Sequence, residues 1–166
     1  VGSEMCIRDS VHLVIRTGRT ALSSAMRKLL TGYAIKFNRK HKRHGHLFQN
    51  RYKSILIEDE PYFLELVAYV HLNPRRARLV RNLEELDRYP WCGHSALMGR
   101  IDRSWQNTAE VLKRFDPDVG MARRKYRAFV KERFHQGRRP EFSGGGLIRS
   151  AGGWAEVLAL RRRRKR

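Results

Sequence analysis

The sequence predicts an α+β domain followed by a helical extension. Strand and helix patterns alternate over residues 11 to 74, and only helical patterns follow. The chain's 166 residues make room for one ordinary domain, or one domain with a small appendage, and 41% apolar residues are enough to bury a core.

The first ten residues, "VGSEMCIRDS", show no periodicity. In "VHLVIR", Val11, Leu13 and Ile15 alternate with His12, Val14 and Arg16, as in a strand buried on at least one face, and Gly18 closes it. Residues 20–40 read as a helix, with Leu22, Met26, Leu29 or Leu30, Tyr33 and Phe37 at helical spacing; Gly32 weakens it only slightly. "KHKRHGH" is a basic turn about Gly45, and "HLFQNRYKSILIE" is β-rich, as in one strand or a short bent pair. Asp59 or Glu60 can cap the next helix, whose first turn accommodates Pro61. That helix is expected to run to about Asn73, because the residue before Pro74 is pushed out of the helical region. Phe63, Val67 and Val70 form its inward stripe. A loop with one short helix is expected over "NLEELDRYPWCGHSALMG", then two helical pieces over residues 107–135 divided near Asp116 and Pro117. The tail holds glycines, a short apolar helix "WAEVLAL" and a basic run, Arg161 to Arg166.

There are 36 Lys and Arg against 16 Asp and Glu, a formal net charge of +20, which points to a polyanionic partner, above all nucleic acid. No helix pairs a clean basic stripe with an apolar face, and no apolar run approaches the ~20 residues that span a bilayer, so no membrane partner is expected. The N-terminus lacks the apolar core of a signal peptide, and Cys6 and Cys92 alone offer neither a disulfide framework nor a cysteine zinc site. A reducing cytoplasm is the expected compartment.

In "AYVHLNP", Tyr69 and Asn73 stand at i and i+4, on one side of a helix, while His71 points the other way. A tyrosine hydroxyl can attack phosphorus and form a covalent intermediate. An amide oxygen such as that of Asn73 can help hold a hard divalent cation that polarises the phosphate. The competing reading is a packing aromatic and a helix-ending asparagine. His41, His44 and His46 read as a solvated basic turn rather than a zinc site, because no fourth spaced ligand accompanies them. Lys36, Arg39, Lys40, Lys42, Arg43, Arg51 and Lys53 flank Phe48 and Tyr52, a mixture suited to a groove that tracks a single strand and stacks its bases. Arg75, Arg76 and Arg78 could hold phosphates beside Tyr69. The glycines at 144–146 open no dinucleotide turn, Trp91 and Trp154 read as packing residues, and the terminal basic run would add salt-sensitive affinity.

Taken in order, "VHLVIRTG", "FNRKHKRHGHLFQNRYKSILI", "YVHLNPRRARLV" and "YPWCGHSA" resemble the single-tyrosine HUH transposases over residues 11 to about 98, and among them the REP-associated tyrosine transposases of bacteria. The resemblance implies a ferredoxin-like sheet with packed helices, incomplete here, with a helical, basic extension at 99–166. It implies Tyr69 as the nucleophile, and His12 and Asn73 as ligands of Mg2+ or Mn2+. DNA contacts are expected from Arg39, Lys40, Lys42, Arg43, Arg51, Tyr52, Lys53, Arg75, Arg76 and Arg78. The implied reaction cleaves single-stranded DNA near a hairpin, leaving a 5′-phosphotyrosine and a 3′-OH that later reverses the step. Such enzymes act at the nucleoid, as monomers or as homodimers that exchange tyrosines. The first histidine of the family's metal-binding pair belongs where Ser10 stands. Residues 1–10 resemble translated sequencing adapter, so the expectation is a non-native segment, a chain truncated at both ends, and an inactive fragment. A non-catalytic nucleic-acid-binding protein of the same fold is the alternative.

Overall fold

The computed structural model describes residues 4–7, 10–54, 60–137 and 139, with the side chains of 4–7, 60 and 61 left aside. Asp59, the glycines at 144–146, Trp154 and the terminal basic run lie outside the described residues.

Strand β1 (Glu4–Ile7) pairs antiparallel with β2 (Ser10–Leu13), placing Ile7 opposite Ser10 and Met5 opposite His12. The segment read as patternless therefore contributes a strand. β2 is shorter than the alternation suggested, and its apolar order is inverted: Val11 is exposed, while Val14, just past the strand, is buried. The described strands make a two-stranded ribbon, and the chain is otherwise mostly helical. A ferredoxin-like sheet is not among the described residues.

Helix α1 (Leu22–Lys40) matches the predicted span and is ~28 Å long. Met26 is its buried residue, so most of its surface faces solvent. The strand expected from residue 46 does not form over 46–54, which are bends and irregular backbone; residues 55–59 lie outside the described residues. β-rich composition makes a strand only where a neighbour supplies ladder hydrogen bonds, and none does so here among the described residues.

Helix α2 (Glu60–His71) begins where Pro61 predicted and ends two residues before the expected stop. Asn73 and Pro74 instead open a separate short helix, α3 (Asn73–Arg76). Proline fits there because the first N–H groups of a helix have no intrahelical acceptor, so the one it lacks is not missed. Leu72 keeps near-helical torsions between the two, and its N–H still bonds the Ala68 carbonyl at 2.9 Å.

Two short helices, α4 (Leu83–Arg88) and α5 (Gly93–Leu97), occupy the stretch expected to hold one. The region beyond forms α6 (Thr108–Leu112) and α7 (Val119–Glu132), divided at the predicted aspartate-proline pair. Side-chain caps fix three starts: Asn82 accepts from the Glu85 N–H at 2.8 Å, Asn107 from Glu110 at 3.1 Å, and Asp118 from Met121 at 2.7 Å. Gly99 turns the chain after α5 with φ +70°, and a Cβ there would meet the Arg123 guanidinium at 2.6 Å.

The main core joins Val67, Ala68 and Leu72 to Leu86 and Leu97, and then to Val111, Leu112 and the α7 stripe Ala122, Tyr126 and Val130. It is continuous across residues 98 and 99, so α7 packs on α2 rather than apart from it. Burying each of these valines and leucines stabilises the fold by about 1.5–3 kcal/mol. Arg133 adds a clamp, its Nη2 reaching Glu65 Oε1 of α2 at 2.6 Å. Trp91, read as a packing residue, is 68% exposed. No helix among the described residues is long and apolar enough to cross a membrane.

Candidate active site

The last turn of α2 is buried all round, because β1 and the core cover opposite sides of it. Tyr69 is 8% exposed and Asn73 3%. Although a helix break separates them, both meet one side chain, that of Arg76. Its guanidinium lies 3.9 Å from the Tyr69 ring centroid, and its Nε and Nη2 donate to Asn73 Oδ1 at 3.1 and 2.5 Å. Nη2 also donates to the Tyr69 carbonyl oxygen. The predicted i, i+4 pair is thus brought together, by an arginine read from sequence only as a phosphate contact.

The other predicted residues divide. Val14 forms a buried cluster with Val70 and Cys92, so the chain leaving β2 comes in beside Tyr69. His12 sits two residues earlier, ~7 Å along the strand, on the same face as Ser10. Arg75 stacks 5.2 Å from the Phe134 ring, and Arg78 is exposed at φ +58°. Arg39, Lys40, Lys42, Arg43, Arg51 and Lys53 are exposed and Tyr52 is half-buried, all on α1 or the loop after it.

The residues of this site do not fit a divalent cation as they are folded. Asn73 Oδ1 already accepts two bonds from a guanidinium, itself a cation, and position 10 offers a neutral hydroxyl in place of imidazole. No group of three or more His, Cys, Asp or Glu gathers among the described residues.

Behind α2 lies a polar network that sequence reasoning did not find. His71, fully buried on the side away from Tyr69, has its Nδ1 2.5 Å from the Tyr126 hydroxyl. Burial pushes the Tyr126 phenol well above its usual range, so it stays protonated and can donate to Nδ1. His94 Nε2 meets Asp87 Oδ1 at 2.8 Å; Arg127 Nε donates to Asp87 Oδ2 at 2.8 Å and its Nη2 to Glu84 at 3.1 Å. His71 Nε2 and His94 Nδ1 have no hydrogen-bond partner among the described residues. The Cys92 thiol, pushed up to about 12 by burial, donates to the His71 carbonyl at 3.4 Å. His71 stands on α2 itself, so these contacts help order the helix that carries Tyr69. The block "YPWCGHSA" held the clue, since a histidine between small residues suits a packed turn.

Burial holds His71 well below its usual range, helped by His94 and Arg103. It also lowers His94, against the opposing pull of Asp87. Below about pH 6.5 the unfolded chain protonates these imidazoles while the folded chain keeps them neutral. The unfolded state then binds more protons, so stability is lost as the pH falls, by up to about 1.4 kcal/mol per unit per histidine. Glu65, held low chiefly by the Arg133 hydrogen bond, adds its own loss only below about pH 4.5. Asp87 does so at still lower pH, below the ordinary aspartate value, because burial works to raise it but the hydrogen bonds from His94 and Arg127 together outweigh that and hold it low. The urea midpoint should therefore be lower at about pH 5 than at about pH 7.5; equal midpoints would contradict the neutral, buried imidazoles.

No family model, curated protein or solved structure matches the chain.

Proposed function

We propose that Tyr69 is the nucleophile of a transposase-type strand transfer on single-stranded DNA. The observation that carries this reading is the Tyr69–Asn73 pair held by one guanidinium, in a chain of net charge +20. In the step, the phenolic oxygen bonds to phosphorus and the bond to the 3′ oxygen breaks. The phenolic proton ends on that oxygen, leaving a 5′-phosphotyrosine and a free 3′-OH. The reverse attack by the 3′-OH rejoins strands, because the phosphodiester energy is kept in the adduct. Arg76 lies where it can meet the charge that develops on the phosphate, with Arg75 beside it on α3 and Arg78 just past the end of that helix. On this reading the ribbon of β1 and β2 belongs to a ferredoxin-like sheet, and Mg2+ or Mn2+ would need an imidazole at position 10 and release of Asn73 by Arg76. The DNA hairpin and any dimer belong to the same proposal.

A second reading has its own support. Ser10, and the guanidinium bound to Asn73, suit a chain that keeps a nucleic-acid surface without the chemistry. The two are separated by incubating the chain and its Ser10→His variant with a labelled hairpin-bearing single strand, with Mn2+ or with chelator. A denaturing gel then reports any covalent adduct. The first reading expects an adduct from Ser10→His in Mn2+ and none from the unchanged chain. Strand binding by both without an adduct from either would leave the second reading standing.

A further inference from the structure

Residues 10–54 contain eleven Lys and Arg and no Asp or Glu. The ion-paired carboxylates of the described chain all lie at Glu65 and beyond. Among the described residues the basic stretch therefore has one counterion, Glu110, which Arg16 reaches at 3.2 Å.

On α1 and the loop after it, four rings lie in series. Centroids are 6.1 Å apart for Phe48 and Tyr33, 6.0 Å for Tyr33 and Phe37, and 4.3 Å for Phe37 and His41. Arg43 sits 5.8 Å from the Phe37 ring, and Tyr33 is 55% exposed. The loop is fastened to the helix, since Asn38 Nδ2 donates to the Gly45 carbonyl at 2.9 Å and the Arg43 N–H to the Asn38 carbonyl at 2.9 Å. Lys42 and Gly45, with φ of +50° and +91°, make the reversal that this fastening requires. Beside the rings runs an open groove of about 1020 Å³, lined among others by Arg27, Asn38, Gln49, Asn50 and Arg51.

We infer that this ring series is a stacking platform for the unpaired bases of a single DNA strand, at a site separate from Tyr69. The strand's phosphates run along the cationic margin, and its bases lie on the exposed ring of Tyr33 and the neighbouring Phe48. Each part of the surface matches one part of that partner: π-faces for bases, amides for base edges, and uncompensated cations for phosphates. A duplex hides its base faces, and a protein partner would need a dense acidic surface to meet the cations. The inference rests on the nucleic-acid reading above, but not on the phosphotyrosine step.

Fluorescence anisotropy of the 166-residue chain with a labelled oligothymidylate of about 12 nucleotides, in chelator, tests it. Tyr33→Leu should weaken binding about tenfold or more, while Tyr33→Phe binds like the parent, since stacking needs the ring and packing needs only the bulk. Affinity should also drop steeply between about 50 and about 200 mM salt. Circular dichroism of each variant reports whether α1 is kept, and Phe48→Leu repeats the test from the loop side. Equal affinity for Tyr33→Leu and the parent would overturn the inference. So would tighter binding of the matching duplex or RNA, or a dimer that Tyr33→Leu dissolves. Because the readout is reversible binding, its failure is distinguishable from failure of the covalent chemistry, which the gel adduct reports.

Discussion

Tyr69→Phe, made in the Ser10→His background, is expected to abolish the covalent DNA adduct. The substitution removes the one oxygen that bonds to phosphorus; elsewhere, loss of a nucleophile slows covalent catalysis by up to on the order of 10⁶-fold. It keeps the ring, and with it the contact 3.9 Å beneath Arg76. The buried last turn of α2 keeps its packing volume, so the chain should remain folded, as circular dichroism would report. Loss of adduct without loss of folding separates a chemical role from a packing one. An adduct of undiminished yield would remove Tyr69 from the reaction and return it to the core.

Tyr126→Ala is expected to destabilise the chain by about 3–5 kcal/mol, a large share of the ~5–15 kcal/mol that holds a typical domain folded. Tyr126 has no exposed surface, and its ring packs edge-on to Phe115 at 5.4 Å and to His71 at 6.1 Å. Truncation opens a cavity where α7 meets α2, and it leaves His71 Nδ1 without the hydroxyl 2.5 Å away. Tyr126→Phe isolates the second loss, expected at about 1–3 kcal/mol for an imidazole nitrogen stranded in the core. Urea denaturation of the two variants measures both, and a loss below about 1 kcal/mol for Tyr126→Ala would mean that the two helices do not share a core.

Much of the helical framework was legible because it obeys local rules. Met26 and the residues spaced from it announced α1, and Pro61 announced the start of α2. The division of the last helices falls at Asp116 and Pro117, where the sequence placed it. The misses share one physical cause, dependence on distant partners. "HLFQNRYK" has strand-like composition, but no ladder neighbour is present among the described residues, so it stays irregular. "GHSAL" has no amphipathic period because every residue of α5 is buried, and periodicity detects only helices with two unlike faces. The halt of α2 at His71 reversed a sound rule: Pro74 ends a helix that reaches it from before, yet it starts one readily.

The candidate site was half legible. Spacing alone put Tyr69 and Asn73 together, and both are present beside α3. The role of Arg76 was hidden, because in "PRRAR" each arginine looks alike. Only the fold makes one turn back onto the tyrosine, another stack on Phe134, and the third stay exposed. The Asp87–His94 pair was hidden for a similar reason, since its partners come from α4, α5 and α7.

The bond from Arg76 to the Tyr69 carbonyl ties chemistry to architecture. A carbonyl in the final turn of a helix has lost its usual amide donor, and here an arginine's side chain supplies a replacement. The same guanidinium therefore acts as a terminator of α2 and as the neighbour of its phenol. A ligand that drew Arg76 away would therefore also take a hydrogen bond from the end of the helix on which Tyr69 rides.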